Sequence, residues 1–191
     1  MDRRELLKMI VAATGAAMVG LPALAQGTAA AAPVKTLFSD ADVATLDEIA
    51  ETILPRTRTP GAKDAGAGLF MATFVSDCYT ARQQAAFRAG LVDIDKRAGG
   101  RFVSLTPEAR TELLHTLDAE ARARHADVTE TGTPEEGEAM PHYFTMLKQL
   151  AIFGFFTSKV GATGVLQYVA VPGRYDGDLA YVPGTPAWGT S

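Results

Sequence analysis

The sequence predicts an all-α protein, built as a single small domain of about five helices with an irregular, aromatic C-terminal tail. Apolar residues recur at intervals of three and four along most of the 191 residues, which is the spacing of amphipathic helices. No series of short segments alternates apolar and polar residues, as strands would, and no internal repeat is present. An export signal is predicted to precede this domain.

The N-terminus carries the pattern of a twin-arginine export signal. Arg3 and Arg4 are adjacent, and Leu6, Leu7 and Lys8 follow at the positions expected after such a pair. A mildly apolar stretch, rich in alanine and glycine, comes next. The twin-arginine translocase carries proteins that have already folded, commonly around a cofactor. We therefore expect a periplasmic protein, with ordinary Sec export as the alternative.

The signal is predicted to span residues 1–25, because Ala23 and Ala25 form an A-x-A cleavage site. The apolar stretch is shorter than the roughly 20 residues that a membrane span requires. An uncleaved anchor and a cytoplasmic helix are the less favoured interpretations. Residues 26–36 form an alanine-rich linker that we expect to be disordered, and the helical domain covers residues 37–191.

The first helix is predicted to begin after Ser39, with Asp42 completing an acidic variant of the capping box. It ends at Leu54, because Pro55 follows. Residues 55–68 contain two prolines and three glycines, so they are predicted to form a loop. The residues expected to face inward from the first helix are Val43, Leu46, Ile49, Ala50 and Ile53.

Three further helices follow from the same criteria. The second is predicted to run to about Tyr79, and the third covers residues 83–98 before a glycine pair. The fourth opens with Thr106 as N-cap and Pro107 at the first helical position. The residues predicted to face inward are Leu69, Phe70, Thr73, Phe74 and Asp77 in the second helix, Phe87, Leu91 and Ile94 in the third, and Leu113, Leu114, Leu117 and Ala121 in the fourth.

The most apolar helix is predicted at residues 143–156, after an acidic loop at 127–138. From Leu150 onward it is apolar around much of its circumference, which is typical of a helix that lies centrally or is covered by another chain. Helical signals fade from Gly161 to the end of the sequence. The aromatic side chains of that tail must be buried in the domain's own core or against a partner.

The residues capable of acid, base or metal chemistry are few and poorly spaced. His115 and His125 are ten residues apart, which does not place two metal ligands on one helical face. Asp93 and Asp95 point to different sides of a helix and cannot work as one acid–base pair. His142 is expected to serve the start of its helix, with a catalytic base as the alternative. We expect no cofactor to be bound by this chain.

Charge and cysteine content restrict the function further. The net charge of −4, without a basic face, predicts that nucleic acid is not a partner. Cys78 is the single cysteine, so no internal disulfide can form. We expect its thiol to be a small buried hydrophobe, and the alternatives are a reactive thiol or an intersubunit bridge.

Seven segments together resemble the gluconate 2-dehydrogenase subunit 3 family. They are LP at 54–55, TPGA at 59–62, DAG at 64–66, FGFFTSKVGAT at 153–163, LQY at 166–168, VPGRY at 171–175 and AW at 187–188. The resemblance covers nearly all of the mature chain in order. Lys159 departs from it, because such proteins often carry an acidic residue there.

The resemblance implies a noncatalytic subunit of a membrane-associated periplasmic dehydrogenase that oxidises gluconate or a related sugar, polyol or glycoside. The implied partners are a large FAD-containing subunit of the glucose-methanol-choline type and, in many such complexes, a multihaem cytochrome c subunit. The small subunit would export the large one by the twin-arginine route and stabilise it. A periplasmic location at the inner membrane follows.

The resemblance and the aromatic pattern together predict a partner interface. Arg174 and Trp188 are expected to contribute most of its binding energy. The alternatives from other classes are a self-sufficient periplasmic enzyme, using for example His142 with Tyr143, and a periplasmic scaffold or binding protein without a redox role. The predicted interface residues are Phe153, Phe155, Phe156, Tyr168, Arg174, Tyr175 and Trp188.

Overall fold

The computed structural model describes residues 36–130, 140–171, 173, 177–180 and 182–189, with the side chains of 126–130 left aside. The predicted export signal, with its arginine pair and cleavage site, lies outside the described residues, as do Arg174 and Tyr175. Within the described ranges, no helix is long and apolar enough to cross a membrane.

The described residues form six α-helices and no strand, which confirms the all-α prediction. Two 3₁₀ turns, at Ala62–Ala65 and Phe102–Ser104, lie between helices, and one isolated parallel bridge joins Gln167 to Trp188. The helices are α1 Asp40–Ile53, α2 Ala67–Cys78, α3 Ala81–Arg97, α4 Pro107–Glu130, α5 Tyr143–Thr157 and α6 Lys159–Gly164.

Side-chain caps set the starts of the first and third helices. Ser39 and Asp42 form the predicted capping box at α1, in which each side chain bonds the other residue's backbone N–H. Thr80 and Gln83 form a second capping box, so α3 begins two residues before its predicted start. The caps therefore supply hydrogen-bond partners for N–H groups that have none inside the helix.

The α5 helix is central, because it packs against each of α1, α2, α3 and α4. Its burial confirms the prediction made from its apolar circumference. The three predicted inward residues of α3 are also buried, as is most of the predicted stripe of α4. The largest fully buried side chains are Phe87, Phe102, Leu46, Ile49, Met71, Ile94, Leu117, Leu147 and Val75.

The buried face of α2 differs from the prediction. Leu69 is exposed, and so is Asp77, while Phe70 and Phe74 only flank the core. The reason is a close approach to α1, where Asp47 Oδ1 accepts a hydrogen bond of 2.8 Å from the Gly68 N–H. A Cβ at position 68 would lie 2.5 Å from that oxygen. The residues that face inward instead are Ala67, Gly68, Met71, Ala72 and Val75.

Cys78 is exposed, so the prediction of a buried thiol is wrong. The residue occupies the last position of α2, after which the chain turns at Tyr79. The Tyr79 ring takes the inward position, with its centroid 5.9 Å from that of Phe74 and 6.3 Å from that of Phe87. The larger apolar side chain thus fills the space that the thiol was expected to occupy.

Two further elements differ from the prediction. The α4 helix continues to Glu130, beyond the predicted start of the acidic loop at 127, and residues 131–139 lie outside the described part of the chain. The α6 helix falls where a tail without helix was expected. The Ser158 Oγ caps it by accepting a 2.9 Å hydrogen bond from Gly161 and donates a 2.6 Å bond to the Phe155 carbonyl, which forms a tight corner with α5.

Candidate functional site

A cluster of three phenylalanines lies where α2 packs against the C-terminal half of α5. The ring centroids of Phe70, Phe74 and Phe153 are 5.6–5.7 Å apart, and two of the three ring pairs meet edge to face. Such spacing is favourable for aromatic rings beyond the area they bury. We call these three residues the aromatic cluster.

A glycine makes the cluster possible. A Cβ on Gly154 would lie 2.5 Å from Cδ1 of Phe70, so the Phe70 ring can rest on α5 only because no side chain is there. Phe153 remains 46% exposed at the edge of the cluster. In the sequence Phe153-Gly154-Phe155, the first residue therefore lies at the surface, and the glycine leaves space for the Phe70 ring of α2.

The predicted interface residues of α5 separate into different environments. Phe153 is exposed as expected for a contact residue, and Phe156 is half-buried. Phe155 is 3% exposed and belongs to the chain's own core, with its ring centroid 5.1 Å from that of Phe156. Phe155 therefore presents almost no surface to a partner, contrary to its predicted role as a contact residue.

The C-terminal segment exposes most of the remaining large apolar side chains. Trp188 is 51% exposed and Val171 is 80% exposed. Of the predicted interface residues in this segment, the structure describes Tyr168 and Trp188, which lie near its two ends. We call the following described residues the tail surface: Tyr168, Val171, Leu179, Val182 and Trp188.

The ends of this segment are held together at a neck. The Gln167 N–H donates to the Ala187 carbonyl, and the Gly189 N–H donates to the Gln167 carbonyl, each over 2.8 Å. The Gln167 side chain adds a 2.7 Å bond to the carbonyl of Pro186. Three hydrogen bonds thus fix where the tail surface leaves and rejoins the helical domain.

The loop between α1 and α2 is held by a carboxylate of α1. The two oxygens of Glu51 accept backbone hydrogen bonds from Arg56, over 2.8 Å, and from Lys63, over 2.9 Å. The Asp64 carboxylate accepts a 2.8 Å bond from the Gly61 N–H within the loop. The TPGA and DAG segments therefore have a structural explanation, since Gly61 of the first supplies a backbone N–H and Asp64 of the second supplies the carboxylate that accepts it.

A polar network secures the start of α5. The Tyr143 hydroxyl donates a 2.6 Å hydrogen bond to Asp93, which also accepts a 2.7 Å bond from Arg97. Arg97 donates in turn to Glu120 of α4 over 2.6 Å. The Tyr143 hydrogen bond, more than any other interaction, lowers the pKa of Asp93. The network joins three helices.

His142 caps α5. Its Nδ1 accepts a 3.2 Å hydrogen bond from the Phe144 N–H, and its ring stacks on Tyr143 with centroids 4.4 Å apart. Burial lowers the pKa of His142, and burial raises the pKa of Tyr143, which its hydrogen bond to Asp93 raises further. Both side chains are therefore engaged in holding the helix.

Acidification is expected to destabilise the protein through His142. The unfolded chain takes up the proton first as the pH falls through about 6.5, because the pKa of this imidazole is lower in the folded state. His142→Asn keeps a cap without a titrating ring, so its free energy of unfolding should fall less between neutral pH and pH about 5. Urea unfolding across that range measures the difference. His115→Asn is the control, and equal pH slopes in wild type and His142→Asn would contradict the assignment.

The other residues considered for chemistry are not brought together. Asp95 Oδ1 accepts a 2.8 Å hydrogen bond from the Phe102 N–H, on a different side of α3 from Asp93. Among the described residues, no group of three or more histidine, cysteine, aspartate or glutamate side chains could hold a metal ion. The predicted separation of the two aspartates is confirmed.

The described residues lack the parallel sheet at which dinucleotide cofactors commonly bind. Such cofactors bind at the carboxyl ends of parallel strands, and the only β contact in the described ranges is the single bridge at the neck. A depression of about 300 Å³ lies between α1 and α3, but its carboxylates already accept bonds from Ser39 and Phe102.

Sequence reasoning missed the residues that shape these surfaces. Gln167 closes the neck and lies within the LQY segment, but the segment does not reveal which residues it bonds, and Glu51 holds the loop without belonging to any of the seven segments. Gly154 and Gly161 lie within the FGFFTSKVGAT segment, and glycine inside an apolar helical run is a signal of close packing. That signal could have located the α2–α5 contact.

Comparison with known families gives one result. The family model described as gluconate 2-dehydrogenase subunit 3 matches residues 40–173, from the first residue of α1 to the tail. Neither the search of curated proteins nor the search of solved structures returned a match. Leu179, Val182 and Trp188 of the tail surface lie beyond the matched residues.

Proposed function

Because the chain belongs to the gluconate 2-dehydrogenase subunit 3 family, we propose that it is the noncatalytic small subunit of a membrane-associated periplasmic dehydrogenase. The family name identifies a subunit of a multi-subunit complex, so partner subunits are implied. The proposed large subunit is an FAD-dependent enzyme of the glucose-methanol-choline type. Its proposed substrate is gluconate or a related sugar, polyol or glycoside, and a multihaem cytochrome c is the proposed third subunit.

One observation of the structure supports this assignment most directly. The domain has a complete core around α5, yet Phe153 and the tail surface leave large apolar side chains in water. Exposed apolar groups that are not used by the chain's own fold are typical of surfaces that meet another protein. A subunit that binds and stabilises a larger enzyme accounts for them.

The structural roles of the polar residues also support the proposal of a noncatalytic subunit. An independent enzyme would need a base within reach of a substrate. His142 and Tyr143 are instead used to cap α5 and to bind Asp93. We propose that the chemistry takes place at the flavin of the large subunit, while this chain contributes export and stability.

Export is proposed to follow the twin-arginine route, with the large subunit carried alongside. The support is the Arg3-Arg4 pair and the apolar stretch after it. A route that accepts folded proteins suits a partner that binds FAD before it leaves the cytoplasm. The small subunit would then supply the only signal that the pair requires.

The test is purification of the tagged full-length chain from the periplasm and membrane fraction of its native cell. We expect a yellow complex with a larger, flavin-containing chain, identified by absorbance and mass spectrometry. Replacing Arg3 and Arg4 together by lysine should leave both chains in the cytoplasm, while Lys8→Arg serves as a control for charge. A colourless monomer that stays folded by itself would overturn the proposal.

A further inference from the structure

The tail surface cannot be explained by the fold of this chain. Burial of large apolar side chains stabilises a fold, yet all five members are more than half exposed, from Tyr168 and Trp188 at 51% to Val171 at 80%. The helices of the same domain bury most of their large apolar residues, including Leu46, Ile49 and Phe87. The tail surface therefore has apolar area available for a second molecule.

The neck restricts the conformations of this segment before it binds. The paired hydrogen bonds of Gln167 with Ala187 and Gly189 hold its two ends together. Leu166 lies against Gly189, where an added Cβ would be 3.3 Å from the leucine Cβ. A segment whose ends are already fixed loses less conformational entropy when it binds than a free chain would.

Two positively charged residues lie on α6 and on the loop that contacts its end. The α6 helix ends next to the α1–α2 loop, since a Cβ on Gly164 would be 3.6 Å from Cγ of Pro60. Arg58 lies two residues before this proline, and Lys159 begins α6, about 8 Å along the helix axis from Gly164. We call Arg58 and Lys159 the basic edge.

The basic edge is not neutralised by the rest of the described chain. Arg56 pairs with Asp64 and Lys63 pairs with Glu48. The guanidinium of Arg58 and the ammonium of Lys159 belong to exposed residues, and neither group forms a hydrogen bond or ion pair with a described residue. The protein as a whole has a net charge of −4. Two free cations beside an apolar segment complement an acidic surface.

We propose that the tail surface and the basic edge together bind the large subunit of the dehydrogenase, at an apolar patch bordered by aspartate or glutamate. This inference rests on the proposed function and adds the docking element and the chemistry of the surface that receives it. The apolar residues supply affinity, and the basic edge speeds association and fixes orientation.

An anionic membrane is the other surface with suitable chemistry, and the structure favours the protein. Proteins that lie on a lipid surface commonly use an amphipathic helix, with one apolar and one basic face. The described residues of the tail surface lie on irregular backbone outside the helices, and the neck joins its two ends. Irregular segments with aromatic side chains are typical of protein contacts.

The experiment measures binding of the purified chain to the isolated large subunit by biolayer interferometry, at low and at physiological salt. Trp188→Ala combined with Leu179→Ser should weaken binding about tenfold or more. Arg58→Glu combined with Lys159→Glu should slow association at low salt, and the difference should shrink as salt rises. Matched controls on α3 are Val92→Ser, whose side chain is 70% exposed, and Arg88→Glu.

The outcomes separate this inference from the proposed function. If the wild-type chain binds no flavin-containing subunit, the proposed function fails and the inference fails with it. If the wild-type chain binds and the tail variants bind equally well, only the docking inference fails. The same variants are also tested on vesicles of phosphatidylglycerol and phosphatidylcholine in equal parts. If the tail variants still bind the large subunit but no longer bind these vesicles, the tail surface binds the membrane and the docking inference is wrong. Unchanged far-UV circular dichroism must accompany any loss of binding.

Discussion

Phe87→Ala is expected to lower the free energy of unfolding by about 3–5 kcal/mol, because a fully buried ring is removed and its cavity cannot close. The Phe87 ring contacts Phe38 edge to face, with centroids 5.8 Å apart, and Tyr79 on its other side. A domain with a total stability of about 5–15 kcal/mol would lose a large share of it.

Urea unfolding monitored by circular dichroism measures this loss. Val92→Ala is the matched control, since it removes apolar atoms from the same helix at a position that is 70% exposed. The control should change the free energy of unfolding by less than about 0.5 kcal/mol. If both variants unfolded at the same urea concentration, Phe87 would not have the central position described above.

Gly161→Ala is expected to destabilise the protein by about 2–3 kcal/mol through overpacking at the α5–α6 corner. The new Cβ would overlap the carbonyl oxygen of Phe155 and lie 2.8 Å from its carbonyl carbon. These are backbone atoms, so no change of rotamer relieves the overlap. The corner can only open, which would break the hydrogen bonds of Ser158 to Phe155 and Gly161.

The same helix provides an unusually close control. Gly164→Ala adds an identical methyl group at the end of α6, where its nearest neighbour would be Pro60 at an ordinary 3.6 Å. Alanine is favoured over glycine in a helix by about 0.5–1 kcal/mol, so this variant should be neutral or more stable. Thermal unfolding should therefore show a lower Tm for Gly161→Ala and an unchanged or higher Tm for Gly164→Ala. A decrease in Tm of equal size in both variants would rule out the backbone overlap.

Local signals predicted the helix starts well and the helix faces less well. Ser39 with Asp42 and Thr106 with Pro107 carry their capping information within four residues, so the starts of α1 and α4 could be found from the sequence. The inward face of α2 depends on Asp47, which lies 21 residues before Gly68. Large side chains at Phe70 and Phe74 suggested the opposite face, because periodicity alone does not reveal that contact.

For the predicted interface residues, the sequence indicated the exposure of some side chains and not of others. Phe153, Tyr168 and Trp188 were expected to be available to a partner, and the structure leaves all three exposed. Phe155 differs because residues two apart on a helix are rotated by about 200°, so it points into the core while Phe153 points out. The basic edge could not be predicted, since Arg58 and Lys159 come from segments that only the fold brings together.

The exposed Trp188 has a consequence for spectroscopy. It is the single tryptophan of the chain, so fluorescence excited selectively at that side chain reports on the C-terminal segment and hardly on the helical core. Emission from the isolated protein should be that of an indole about half exposed to water, so core unfolding should shift it less than the emission of a buried tryptophan. A shift to shorter wavelength on mixing with a partner would then be an optical signal of docking that needs no added label.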